Sequence, residues 1–234
     1  MKLLAIETAT LFGGVAVMDS EAGLLYEARM SVKSGHAERV MSEVATALDR
    51  TGLTLADIDA LAVAAGPGGF TGLRIGLGSV KGLCFSNPHL RLVSVGTLEA
   101  MAALFPQSAM PICPLLDARK KEVYAGLYNA GLLPVRLMDE TAIKPAALAA
   151  ELAARADVKQ GGVLLMGQGA ELYADIFKEA LGDAARFAPR HLMHPSPAAL
   201  AELGMRLALA GKCSDPATIT PVYLRKSEAE LKGG

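Results

Sequence analysis

The chain has 234 residues and a net charge of −1, from 23 Lys and Arg against 24 Asp and Glu. That balance leaves no basic footprint for independent nucleic-acid binding. With 52% hydrophobic and 20% charged residues it can bury the core of one large domain or of two ordinary ones, and no uninterrupted apolar run is long enough to span a membrane.

The start, Met1 to Ile6, is apolar, but Glu7, Thr8 and Thr10 end it too early for a signal peptide, so it reads as a first strand. Gly14 to Met18 predicts a second strand, Asp19 to Gly23 a turn, and Leu24 to Met30 a third, alternating strand. Ser34 opens a helix with apolar Ala37, Val40, Met41, Val44 and Leu48, closed by Gly52. A turn at Leu55 to Ile58 leads to a buried strand at 60–65. A glycine-rich loop from Gly66 follows, then a helix to Phe85. Leu92 to Val95 predicts a strand, and Thr97 the cap of a helix reaching Leu104.

The order then restarts. Ile112 to Leu116 predicts a strand ending at Asp117, Val123 to Tyr128 a second, and Leu132 to Met138 a third. Pro145 starts a helix to about Ala154. Val163 to Met166 is a strand, Gly167-Gln168-Gly169 a glycine loop, and Glu171 to Leu181 a helix. A weak strand near Phe187 precedes Ser196-Pro197, the cap and first turn of a helix to about Ala210. Each half reads strand, strand, strand, helix, strand, helix, strand, helix, at an offset of about 110 residues, too long for a solenoid. This predicts an α/β protein of two related ribonuclease-H-like (actin-type ATPase) domains in tandem, each a mixed sheet flanked by helices. The expected domains are 1–105 and 106–234, with the last helix able to pack back on the first.

Gly66-Pro67-Gly68-Gly69-Phe70-Thr71-Gly72 fits neither the Walker nor the dinucleotide pattern, because Leu73-Arg74 and Thr71 stand where those patterns need other residues. Gly72 and Gly76 are four apart inside a helix, as are Gly78 and Gly82. Each costs roughly 1 kcal/mol relative to alanine, so close approach of another backbone is expected, within the chain or from a partner. In the actin-type fold, acids ending the two first strands hold Mg²⁺ and phosphate. Here they are Glu7, followed by Thr8, and Asp117. No glycine follows Glu7 closely, so either the pair is a vestigial cleft or it merely ends two strands. Cys84, Cys113 and Cys213 form no Cys-x-x-Cys pair, which fits a reduced, cytoplasmic setting. His191 and His194 adjoin prolines and read as a surface pair. His36, in the first turn of its helix, is expected neutral and solvated. Arg119-Lys120-Lys121 is the one compact basic triplet and sits at a hairpin turn.

Four stretches carry a family resemblance: MKLLAIETATLFGGVAV from Met1, GPGGFTGLRIGLGSVKGL from Gly66, LLDARKKEVYAGLY from Leu115, and TPVYLRKSEA from Thr220. They resemble TsaB, the family of tRNA threonylcarbamoyladenosine biosynthesis proteins once grouped with glycoprotease-like peptidases. The resemblance implies a cytoplasmic, non-catalytic partner of the related subunit TsaD. With TsaE and ATP, the complex transfers a threonylcarbamoyl group from its adenylate to an adenosine of tRNA. It implies no cofactor in this chain, with ATP and metal in the partner subunits, tRNA bound only through the complex, no membrane, and a homodimer when alone. TsaD binds metal through His-x-x-x-His, which this sequence lacks. Many family members have Asp where this chain has Glu7. The partner face expected from the resemblance joins Val40, Met41, Val44 and Leu48 to Gly72, Leu73, Gly76, Leu77, Val80 and Cys84. The other reading is an enzyme acting alone, an actin-fold ATPase or kinase, or a peptidase of the old grouping.

Overall fold

The computed structural model describes residues 1–31 and 36–225, leaving aside the side chains of 36–38. Ser34, the His36 side chain and the tail beyond Arg225 therefore lie outside the described residues. Two compact units result. One joins Met1–Leu104 to His194–Pro221, and the other joins Phe105–Met193 to the residues from Val222. Among the described residues no helix is long and apolar enough to cross a membrane.

The first unit is built on β1 (Lys2–Glu7), β2 (Phe12–Asp19), β3 (Gly23–Ser31), β4 (Ala60–Gly66) and β5 (Arg91–Gly96), in the order β3-β2-β1-β4-β5. β1 pairs antiparallel with β2 and β2 with β3, while β4 runs parallel to β1 and to β5. β1 and β4 are continuous apolar runs because both faces of the sheet are covered. Helices α1 (His36–Thr51) and α2 (Phe70–Ser86) cover one face. Val40, Val44, Ala47, Leu77, Val80 and Cys84 pack there against Leu4, Ile6, Val15 and Val17. α3 (Thr97–Ala102) follows β5 directly. Its N-cap is Gly96, not Thr97. Thr97 is already the first helical residue, and its hydroxyl is buried without a hydrogen-bond partner among the described residues.

The second unit repeats this plan. β6 (Ile112–Arg119), β7 (Glu122–Asn129), β8 (Val135–Ile143), β9 (Val163–Met166) and β10 (Ala185–Phe187) form a sheet of order β10-β9-β6-β7-β8. The pairings are again antiparallel from β6 to β7 to β8, and parallel from β6 to β9 to β10. β8 starts at Val135, three residues later than expected, because Pro134 has no N–H to give the ladder and Leu132 and Leu133 are exposed. α4 (Pro145–Ala154) is followed by a single-turn α5 (Ala156–Gly161), set by a bidentate Arg155–Asp157 pair at 3.0 and 2.8 Å. The expected glycine loop at 167–169 is a helix entry. Gly167 turns the chain at φ +96°, and α6 (Gln168–Leu172) begins at once. Gly169 is needed because a Cβ there would stand 2.9 Å from Val123 Cγ1. α7 (Ala174–Leu181) is separated from α6 at Tyr173, so the single helix expected over 171–181 is two.

The last helix, α8 (Pro197–Leu209), packs on β1, β2, β4 and β5 of the first unit. Ser196 caps it, accepting from the Ala199 N–H at 3.3 Å. Close fit to the sheet is permitted by Gly204, whose absent Cβ would lie 2.6 Å from Ala62 Cβ. Glu27 of β3 accepts from the Ser196 hydroxyl at 2.7 Å, and Arg29 donates to the His194 and Pro195 carbonyls at 3.0 and 3.1 Å.

Arg119, Lys120 and Lys121, at the β6–β7 turn, all adopt left-handed backbone, with φ of 63°, 53° and 61°. A side chain in that region costs about 1–2 kcal/mol per residue, and none of the three is the glycine or asparagine that such a turn favours.

Candidate functional site

The end of β1, the turn after it and the start of α2 form one knot of backbone in the first unit. Thr8 donates its hydroxyl to the Gly72 carbonyl at 2.8 Å. The Gly69 N–H donates to the Ala9 carbonyl at 2.7 Å. At this separation a side chain on the helix would have nowhere to go. A Cβ would lie 2.3 Å from Ala9 O at Gly68, 2.0 Å from Thr8 O at Gly72, and 2.4 Å from Thr8 Oγ1 at Gly76. The pair Gly72 and Gly76 thus serves packing inside the unit. Gly78 and Gly82 do not, since both are exposed and among the described residues a Cβ on either meets nothing within 4 Å.

Glu7 is fully buried at the end of β1. One carboxylate oxygen accepts from the Ala9 N–H at 2.7 Å, and the other is buried with no hydrogen-bond partner among the described residues. Burial pushes its pKa from 4.5 to about 7, against the smaller opposing effect of the Ala9 hydrogen bond. The turn is closed on itself further along. Thr10 Oγ1 accepts from the Phe12 N–H at 3.1 Å and donates to the Phe12 carbonyl at 2.8 Å. In a phosphate-binding turn the backbone N–H groups face the ligand. Here the Ala9 N–H is taken by Glu7, and the Thr8 and Ala9 carbonyls face the glycine helix. Asp117 belongs to the second unit. It accepts from the Arg119 N–H at 2.9 Å and pairs with the Arg119 guanidinium at 3.4 Å.

The expected partner face divides on its burial. Val40, Val44, Leu73, Gly76, Leu77, Val80 and Cys84 are buried within the unit, and Leu48 and Gly72 are partly so. Only Met41 of the expected set is exposed, at 39%. The reason is geometric: a stripe spaced four, three and four along a helix is what one sheet-covering face requires. On the outer face of α2 the sequence marked Gly78 and Gly82 by their spacing but not Phe85. That face presents Gly78, Gly82 and Phe85, spaced four and three apart, with Phe85 68% exposed. Its signal was Phe85 itself, which directly follows Cys84 and therefore lies off the core stripe. At the other end of the helix, Arg74 rides over the Phe70 ring at 4.7 Å.

Among the described residues no group of three or more His, Cys, Asp or Glu is placed to hold a metal ion. His194 stacks flat on Phe12 with ring centroids 3.7 Å apart. Burial raises the thiol pKa of Cys84 and pushes that of Cys113 up to about 12, the reverse of what a thiolate nucleophile needs.

Comparison with known proteins assigns the chain. A family model described as TsaD, tRNA N6-adenosine threonylcarbamoyltransferase, matches residues 30–233. A Bacillus subtilis protein named tRNA threonylcarbamoyladenosine biosynthesis protein TsaB is 30% identical over 234 residues, covering 99% of this chain and 97% of its own. The chain belongs to the TsaB family. A crystal structure from Pseudomonas aeruginosa, of an uncharacterized protein with similarity to peptidase YEAZ, agrees with this TsaB-family chain at a TM-score of 0.82. It is 27% identical and covers 96% of this chain and 99% of that one. A ROK hexokinase from Thermus thermophilus, at 14% identity, a TM-score of 0.51, and 89% and 100% coverage, shares the fold alone. The TsaB-family chain is therefore two tandem ribonuclease-H-like, actin-type units, each with a five-stranded mixed sheet flanked by helices.

Proposed function

We propose that this TsaB-family chain is a non-catalytic subunit of the cytoplasmic assembly that forms threonylcarbamoyladenosine in tRNA, and that the outer face of α2 with the exposed edge of α1 seats a TsaD-type subunit. The supporting observation is the pair Gly78 and Gly82. Each costs a helix about 1 kcal/mol, and among the described residues nothing lies within 4 Å of a Cβ placed at either position. Exposed Phe85 supplies apolar area on the same face and exposed Met41 on α1, and the strip lets a second helix come close. In the absence of a TsaD-type partner the same face would pair two copies. A TsaE-type subunit, ATP and metal belong to the rest of the assembly in this reading, and tRNA is reached through it.

Phe85→Glu and Gly78→Leu test the face. Both sites are exposed and Gly78 has open space around it, so both variants should stay folded by circular dichroism, with melting close to the parent's for Phe85→Glu and slightly raised for Gly78→Leu. Pull-down by TsaD should weaken by about 30-fold or more for each, the loss of an interface anchor worth about 2 kcal/mol. Two folded variants that bind TsaD unchanged would move the interface elsewhere.

The stand-alone ATPase or kinase reading has its own test. The Ala9 and Phe12 N–H groups in the turn after Glu7 are both occupied, so titration calorimetry with ATP and Mg²⁺ should find binding weaker than about 1 mM for this chain alone. A micromolar constant, about −8 kcal/mol, would reinstate that reading.

A further inference from the structure

In the order of the repeat α8 is the counterpart of α3, yet it packs on the sheet of the first unit. Leu4, Ile6, Leu61 and Val63 of that sheet pack on the side of α1 and α2. The residues that alternate with them, Leu3, Ala5, Ala62 and Ala64, therefore face the other way, and all four are 0% exposed. On that side α3 touches β4 and α8, but it has only six residues. The cover is α8, which lies on β1, β2, β4 and β5 and buries Leu200, Leu203 and Met205. A Cβ at Gly204 would stand 2.6 Å from Ala62 Cβ and 3.5 Å from Leu3 Cδ1, so helix and sheet meet directly.

The entry to α8 is held by the edge strand β3. Glu27 accepts from the Ser196 hydroxyl at 2.7 Å and from the Ala198 N–H at 3.2 Å, beside the two Arg29 bonds to the His194 and Pro195 carbonyls. One residue before Glu27, the Tyr26 hydroxyl donates to Glu43 of α1. Successive side chains of a strand point to opposite faces, so β3 holds α8 on one side of the sheet and α1 on the other. In sequence, residues 105–193 separate the two parts of this unit.

We infer that α8 is part of the folding core of the first unit, so that this unit forms only on a chain extended through Leu209 and the face of α1 and α2 is not presented before then. Tandem domains ordinarily fold from the N-terminus as synthesis proceeds. Here residues 1–104 alone would leave the row from Leu3 to Ala64 bare, and a sheet with an apolar face must bury it against another layer. Readiness of the docking face is thereby coupled to synthesis of the last helix. The link from that face to TsaD rests on the proposed function, whereas the link from α8 to the sheet does not.

Native-state hydrogen exchange on the full chain tests the coupling with a mild variant. Ser196→Ala removes the cap of α8 and a hydrogen bond to Glu27, and should speed exchange of the slowest α8 amides about ten-fold. The slowest amides of β1 and β4 should accelerate by the same factor, because they open together with α8, while those of β6 and β7 keep the parent rates. Acceleration confined to α8 would make it a removable addition to a unit that folds without it, and would overturn the inference. Unchanged exchange in α8, or equal acceleration in β6 and β7, would overturn it as well. Gly204→Leu then wedges α8 from the sheet on the side opposite α1 and α2. It should abolish protection in β1 and weaken pull-down by TsaD about 100-fold or more. Parental TsaD binding by that variant would overturn the inference. A parent chain that does not join TsaD would remove the proposed function instead, and the exchange rates would still decide whether α8 and the sheet fold as one.

Discussion

Gly72→Ala should destabilise the first unit by roughly 3–5 kcal/mol and lower its melting temperature by about 10 °C, whereas Gly78→Ala, six residues along the same helix, should stabilise it by about 1 kcal/mol. The two substitutions are chemically identical, and both remove a glycine from the interior of α2. They differ in what the new methyl meets. At Gly72 it would lie 2.0 Å from the Thr8 carbonyl oxygen, which is backbone at the end of a buried strand and has no rotamer with which to move away. The helix must lift, and the Thr8–Gly72 and Gly69–Ala9 hydrogen bonds go with it. At Gly78 it meets nothing, and only the helix propensity changes. Thermal denaturation of the two variants side by side decides the matter. A Gly72→Ala protein melting with the parent would mean that β1 and α2 are not in contact as described. The same geometry places Leu77→Glu and Gly76→Leu among variants that lose the fold. Leu77 is 3% exposed and belongs to the core, and a side chain at Gly76 collides with Thr8 and then with Val63. Neither can report on a partner surface.

Much of the fold was legible because its sheets leave simple signatures. β1 and β4 are unbroken apolar runs since both faces are covered, and the order of elements repeats because the two units share a topology. What was lost has local causes. α5 is a single turn with one buried side chain, too short to show a period. Thr97 has the composition of a cap, but the chain leaves β5 through Gly96 and enters the helix one residue early. The glycine segment was visible as an anomaly, yet the reason for its first pair, the Thr8 turn, is 64 residues away in sequence. Periodicity marked one face of α1 and α2 as apolar, but it could not say whether a sheet or a second protein covers that face. Burial assigned Val40, Val44, Leu77 and Val80 to the sheet and left Gly78, Gly82 and Phe85 outside. Arg225 joins Glu122 across more than a hundred residues, and nothing in either local stretch foretells the pairing.

The stability of this chain should fall as the pH rises from about 5 to about 8, and Glu7→Gln should remove most of that slope. The carboxyl of Glu7 is wholly buried, one oxygen accepts a single N–H, and the other has no partner among the described residues. Ionising it inside the unit is therefore more costly than in water, and the folded-state pKa lies near 7 rather than at 4.5. In that window the folded chain still holds a proton that the unfolded chain has already released. Linkage then gives a stability that is fully present below about 4.5 and is lost as pH passes through about 7. The gap between the two values corresponds to about 3 kcal/mol, an appreciable share of the stability of an ordinary domain. Glutamine keeps an oxygen for the Ala9 N–H and cannot ionise, so its own packing cost shifts stability by the same amount at every pH. Urea denaturation of both proteins at pH 5, 6, 7 and 8 isolates the titration as the pH-dependent part of their difference. Parallel profiles across that range would mean that Glu7 titrates at the same pH folded and unfolded, and that water reaches its second oxygen. A Glu7→Gln protein that gains on the parent by up to about 3 kcal/mol between pH 5 and pH 8, on top of a constant offset, is the expected result. That outcome would also explain why the turn after β1 makes a poor seat for phosphate: a carboxyl occupies the donor and, once ionised, adds a buried negative charge beside it.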